Sequence, residues 1–116
     1  MLLYGELVEV NDLASSISPG ELRRKLNKSG TIIVDVRQPS EFREGHIPKA
    51  KLIPSSSLPR RAGDLRRFKE IVVVCRSGSR SSRAAKQLAE MGFGNVRNLT
   101  GGMNAWERAG FPVEKK

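Results

Sequence analysis

The chain has 116 residues, with 21 Lys and Arg against 12 Asp and Glu for a formal charge of +9, and it is 38% hydrophobic but only 5% aromatic. That length suits one domain with an ordinary core, and since Cys75 is the only cysteine, no intramolecular disulfide, CxxC redox pair or cysteine-based zinc site can form. The apolar runs fall far short of the about 20 residues a membrane span needs, and Met1–Glu6 meets an acid before any export-type apolar segment. A monomeric cytoplasmic domain in a reducing compartment, off the membrane, is therefore expected.

No repeat, linker or composition break divides residues 1–116, so they read as one domain whose first 16 residues are poorly patterned. Ser18-Pro19-Gly20-Glu21 opens a helix, with Ser18 as N-cap, Pro19 in the first turn and Glu21 at the capping-box position. This helix is predicted to run to about Asn27 with Leu22 and Leu26 inward. After Gly30, Thr31–Val36 is a β-branched run of the kind found in strands covered on both faces. Pro39–Phe42 allows a short helix before Gly45, Ala50–Ile53 a brief strand closed by Pro54, and Ser57–Arg67 a helix anchored by Leu58 and Leu65. Glu70–Val74 is the second strong strand and leads directly into Cys75-Arg76-Ser77-Gly78-Ser79-Arg80. A helix from Ser81 to about Met91 follows, with Ala84, Ala85, Leu88 and Met91 on one face and Gly92 and Gly94 at its end. Val96–Leu99 makes a last strand, and Gly101-Gly102 turns into a helix through Trp106.

Strands alternating with helices imply parallel pairing with right-handed crossovers, hence a small doubly wound, mostly parallel α/β sheet flanked by helices. In such sheets ligands bind beyond the carboxyl ends of the strands. Asp35, Arg37 and Cys75 all fall there.

A lone cysteine is usually a small buried hydrophobe. Cys75, however, stands between a buried strand and the first turn of a helix, where free N–H groups and the helix dipole favour a thiolate. Gly78 lets the loop curl with its amides inward as an anion-binding nest, and Ser77, Ser79 and Ser81 offer hydroxyl donors. Arg76 and Arg80 add positive charge. A slot for a hydrophobe has no use for two arginines, three serines and a glycine; this loop suits an anion held against a nucleophile.

Asp35-Val36-Arg37 with Glu41-Phe42, Gly45-His46-Ile47-Pro48, Ile53-Pro54, Val72–Arg80, and Leu99–Trp106 with Gly110-Phe111-Pro112 together resemble the rhodanese homology domain in order and spacing, from about residue 18 to 113. The resemblance implies a rhodanese-like fold and a sulfurtransferase in which Cys75 carries a sulfane sulfur as a persulfide, with no metal or organic cofactor. It implies a small anionic donor such as thiosulfate and a thiol or cyanide acceptor. Rhodanese-like phosphatases place five residues between cysteine and arginine; here Arg76–Ser79 are four, which resembles the sulfurtransferases. A sulfur-carrier module loaded by a protein persulfide, with little activity on thiosulfate, is the alternative. Asp35 and Arg37 are expected to support the loop rather than touch substrate, with Arg37 and Glu41 as a scaffold ion pair. His46 reads as a fold marker, Met103 and Trp106 as core. Lys49 departs from the glycine usual in the family.

The charge is uneven, with eight Lys and Arg against seven Asp and Glu in residues 1–58 and thirteen against five in 59–116. Six aromatics, several of them core-bound by pattern, leave few platforms for stacking nucleic-acid bases. The run Arg60-Arg61 to Arg66-Arg67-Phe68-Lys69 is most simply a solvated face; its functional reading is steering of anionic donors, or docking of a protein acceptor or a tRNA-modification partner through residues 60–69.

Overall fold

The computed structural model describes residues 15–115. Five parallel strands, β1 (Ser15–Ile17), β2 (Thr31–Asp35), β3 (Lys51–Leu52), β4 (Glu70–Val74) and β5 (Val96–Leu99), lie in the order β1-β5-β4-β2-β3. The helices are α1 (Pro19–Arg24), α2 (Pro39–Glu44), α3 (Leu58–Arg61), α4 (Ser79–Glu90) and α5 (Gly102–Arg108). No helix among the described residues is long and apolar enough to cross a membrane.

Both faces of the sheet are covered, as the β-branched runs require. Side chains alternate across a strand, so Val34, Ile71 and Val73 face Leu58, Leu65, Ala84, Ala85 and Leu88, while Ile33, Val72 and Val74 face Ile17, Leu22, Met103 and Trp106. Trp106, fully buried, donates its indole N–H to Pro112 O at 2.7 Å and meets Phe111 edge-on, which places the last helix in the core as expected.

The strand order reverses between β2 and β4: the chain leaves β2 for β3 on one side and β4 for β5 on the other. Such a switch point opens a crevice at the carboxyl ends. Register pairs Asp35 with Val74, so β2 and β4 end level and deliver Asp35 and Cys75 to the same rim. At the opposite end, the buried Glu70 carboxylate accepts from Lys25 Nζ at 3.0 Å and Thr31 Oγ1 at 2.9 Å, and Arg97 Nη1 lies 3.4 Å away.

Several predicted elements differ in extent. Ser15 and Ser16 belong to an edge strand paired with Arg97 and Asn98, so the poorly patterned start is structured there; residues 1–14 lie outside the described residues. The first helix ends at Arg24 rather than Asn27, although Leu22 is buried and Leu26 packs beneath it. Residues 57–67 are not one helix: the short α3 sits between 3₁₀ turns at Ser55–Ser57 and Ala62–Leu65. Leu58 and Leu65 are nonetheless fully buried anchors. Met91 is exposed, not inward, because α4 has ended at Glu90 and Phe93 fills the core beyond it.

Lys49 is the only non-glycine with positive φ (72°) among the described residues, and its Nζ donates to Asn27 Oδ1 at 3.0 Å. The departure flagged in the sequence is thus a left-handed position held by a side chain with a β-carbon, at a cost of about 1 kcal/mol.

Candidate active site

Cys75 follows β4 directly and is fully buried. The next residues curl around its sulfur because Gly78 adopts φ +108°, which an L side chain rarely does. Gly78 N–H then donates to Cys75 Sγ at 3.1 Å, and Ser81 Oγ lies 3.3 Å from the same sulfur. Gly78 is also the N-cap of α4 and has no side chain to offer, so the free N–H groups of the first turn are left for the sulfur. Burial pushes the Cys75 thiol up, but the Ser81 hydroxyl and the N–H groups of Ser81, Gly78 and Ser77 outweigh it and hold the thiol below its ordinary range.

The loop is clamped from beneath by α5. Met103 N–H donates to Cys75 O at 2.8 Å and Asn104 N–H to Arg76 O at 3.0 Å. That approach is possible because Gly102 has no β-carbon: one built there would lie 2.4 Å from Cys75 O. From β5, Asn98 Nδ2 donates to Gly78 O at 3.2 Å while its Oδ1 accepts from the Ser81 hydroxyl. Ser81 has one proton, so Asn98 Oδ1 and Cys75 Sγ compete for it.

The arginines are less free than the sequence suggests. Arg80 forms a two-pronged pair with Glu41, at 3.0 and 3.1 Å, which brings the Glu41 carboxyl down to about 2 against the opposing effect of burial. Arg76 Nη1 stands 3.8 Å from Glu107. Ser77 and Ser79 are exposed, and Ser77 serves the sulfur through its backbone.

Asp35 and Arg37 are both fully buried and bond each other through Nε and Nη2, each at 2.8 Å; Asp35 Oδ1 also accepts Arg37 N–H at 3.1 Å. Arg37 Nη2 donates further to Gly45 O at 2.8 Å. The expected Arg37–Glu41 pair is not formed: Arg37 turns back into the protein towards the carboxylate two residues before it, which leaves Glu41 to Arg80. His46 is buried and stacked on Phe42 with ring centroids 3.7 Å apart, and Nδ1 donates to Phe42 O at 2.7 Å.

In the basic run, Arg61 faces Asp64 at 3.4 Å, Arg66 lies 4.2 Å over the Phe93 ring and bonds Met91 O, and Arg67 covers Phe68. Three of its cations are engaged locally.

Sequence reasoning passed over Asn98, Gly102 as a contact point, and Glu41 as the partner of Arg80. A polar Asn at the carboxyl end of a short strand was a usable signal; the other two depend on neighbours distant in sequence.

A buried cysteine in an amide nest at the switch point of a parallel sheet is a nucleophile set among donors that favour its anion. Residues 18–109 match the rhodanese-like domain family. The chain is 37% identical to a sulfurtransferase of Allochromatium vinosum over 78% of its own length and 85% of the relative's. It is 32% identical to the thiosulfate sulfurtransferase GlpE of Pseudoalteromonas translucida, over 80% and 89%. Among solved structures it superposes on a rhodanese-related protein from Thermoplasma volcanium with a TM-score of 0.81 at 31% identity, covering 88% of this chain and 99% of that one. The chain belongs to the rhodanese-like domain family of sulfurtransferases.

Proposed function

We propose that this chain transfers the outer sulfur of thiosulfate, or a similar small anionic donor, to a thiol or cyanide through a persulfide on Cys75. The observation that carries the reading is the sulfur's setting, with Gly78 N–H at 3.1 Å and the Ser81 hydroxyl at 3.3 Å inside a loop of four residues between Cys75 and Arg80. That spacing gives a tighter cradle than a phosphate-cleaving loop.

In the first step the Cys75 thiolate attacks the outer sulfur of thiosulfate. A new S–S bond forms on Cys75, the old one breaks, and sulfite leaves with the electron pair as a stable dianion. The resulting persulfide anion takes the place of the thiolate beneath the N–H groups of Ser77, Gly78 and Ser81, fixed donors that need no reorganisation as the charge moves. In the second step an acceptor thiolate or cyanide attacks the outer sulfur and the electron pair returns to Cys75. No oxidant, reductant, metal or organic cofactor enters the balance. Arg76, whose nearest carboxylate is 3.8 Å away, is the freer cation to meet the donor's sulfonate end; Arg80 is held by Glu41. Asp35 and Arg37 act as scaffold under the rim.

Intact mass before and after thiosulfate, and again after cyanide, tests this. Wild type is expected to gain one sulfur and to lose it with release of thiocyanate, and Cys75→Ala to gain none while melting like the parent. A folded wild-type protein that stays unloaded with thiosulfate but accepts sulfur from a protein persulfide would replace this reading with the carrier one.

A further inference from the structure

Beside the Cys75 loop, α4 presents one face to an open groove. Arg80, Arg83, Ala84 and Gln87 recur at helical spacing and line it, with Ser55 across from them. Ser55 N–H donates to Val36 O at 3.0 Å, just past the end of β2, which fixes that wall at the carboxyl-end rim where Cys75 sits. The groove encloses about 320 Å³, at the small end of the range of sites that seat small molecules. Its charge is unbalanced: Glu41 is taken up by Arg80, and among the described residues no carboxylate lies within ion-pair distance of the exposed Arg83.

We propose that this groove is the acceptor subsite, and that it binds the carboxylate of a small acidic thiol through Arg83, with Ser55 and Gln87 as further hydrogen-bond partners. The inference rests on the sulfur-transfer reading and names its second substrate. Size separates the two substrates. The helix rises about 4.5 Å between Arg80 and Arg83, so a group held on Arg83 is set back from the loop by more than the directly bonded sulfonate and outer sulfur of thiosulfate reach. A thiol whose carboxylate stands several bonds from its sulfur spans that distance. The groove's volume fits such a molecule and not a protein surface. With the carboxylate on Arg83, the thiolate lies towards the loop and attacks the outer sulfur of the Cys75 persulfide; the persulfide S–S bond breaks with its pair left on Cys75, and the sulfur departs on the acceptor.

The test uses protein persulfidated with thiosulfate or inorganic polysulfide, freed of donor and checked by intact mass. Discharge is timed with glutathione, 2-mercaptoethanol and cyanide for wild type, Arg83→Gln and Arg83→Glu. Arg83→Gln is expected to slow discharge by glutathione about five-fold and Arg83→Glu further, with 2-mercaptoethanol and cyanide unchanged within about two-fold. S-methylglutathione, titrated into unloaded protein, is expected to shift the backbone amide signals of Ser55, Arg83 and Gln87. Equal slowing of all acceptors, no slowing, or no amide shifts in the groove would overturn the proposal. Failure of both donors to load Cys75 would instead overturn the transfer reading, and the titration would still decide whether the groove binds the acid. Discrimination seen only with an acidic protein acceptor would also refute the small-thiol assignment.

Discussion

Gly102 is where the fold and the chemistry meet most closely, and Gly102→Ala makes the dependence measurable. The added β-carbon would stand 2.4 Å from Cys75 O and 2.7 Å from Arg76 O, where ordinary contact begins at 3.4 Å, so loop and helix must part by about 1 Å. Those two carbonyls accept the N–H groups of Met103 and Asn104, and both bonds lengthen as they part. Gly102 also has φ +57°. A left-handed alanine costs about 1 kcal/mol and two lost hydrogen bonds about 1 kcal/mol each, a total of about 3 kcal/mol. For a chain this size that lowers Tm by about 12–24 °C. The sulfur moves with its own carbonyl, and a displacement of about 1 Å at a reacting atom can cost about 100-fold in rate. Thermal unfolding and stopped-flow loading with thiosulfate, measured below the variant's Tm, read the two effects separately. Gly63→Ala, which meets nothing within 4 Å, is the control and is expected to change neither. A Gly102→Ala protein that melts within a few degrees of wild type would refute the steric argument. One that melts early but loads at the parental rate would refute the link from clamp to sulfur.

The loading rate should rise with pH as Cys75 ionises and level off, with a midpoint below the free-thiol value of about 8.5, because Ser81 and the loop amides favour the thiolate over the opposing effect of burial. In Ser81→Ala the midpoint moves up: loading at pH 7 falls about ten-fold, the worth of one hydrogen bond to a charged acceptor, and recovers at alkaline pH; an unmoved midpoint would remove Ser81 from the thiolate's support. Arg37→Leu leaves the buried Asp35 carboxylate unpaired and should cost about 3–5 kcal/mol in denaturant unfolding, whereas Asp35→Leu with Arg37→Leu recovers part of it; equal losses in the single and double variants would contradict this. Lys49→Gly relieves the left-handed strain but gives up the Asn27 bond, and the net effect should be about 0.5 kcal/mol of stabilisation; a drop in Tm would show that the bond outweighs the strain.

Features governed by a residue and its near neighbours were legible in the sequence. Thr31–Val36 and Glu70–Val74 could only be strands covered on both faces, and the run of Cys75, Gly78 and Ser81 could be read as a nest because a loop entering a helix makes its own donors. β1 was not legible: three residues with one buried side chain, Ile17, form a strand only because β5, some 80 residues later, offers its edge. Residues 57–67 show the opposite failure. Leu58, Ala62 and Leu65 recur at helical spacing and all are buried, yet Pro59 and Gly63 leave too little propensity for one continuous helix, and the same burial is met by 3₁₀ turns. In the site, the expected Arg37–Glu41 pair gives way to Arg80–Glu41, a choice made by Asp35, which holds Arg37 inside the protein.

That choice shapes how the site attracts an anion. The C-terminal half carries most of the net charge, but much of it is taken up: Arg80 by Glu41, Arg97 by Glu21 and Glu70, Arg66 and Arg67 against aromatic rings, Arg76 beside Glu107. What remains at the sulfur is a set of backbone N–H groups and one hydroxyl, all fixed by β4, α4 and the clamp from α5. Fixed dipoles at 3.1–3.3 Å act at short range, where salt screens little and burial strengthens them. In the proposed transfer they would hold either sulfur anion, thiolate or persulfide, and so favour neither of its two steps over the other. A paired Arg80 serves that end better than a free one, because a mobile cation beside Cys75 would bind the departing sulfite as readily as the incoming donor. Selectivity is then left to groups set back from the sulfur, where Arg83 and the groove along α4 lie.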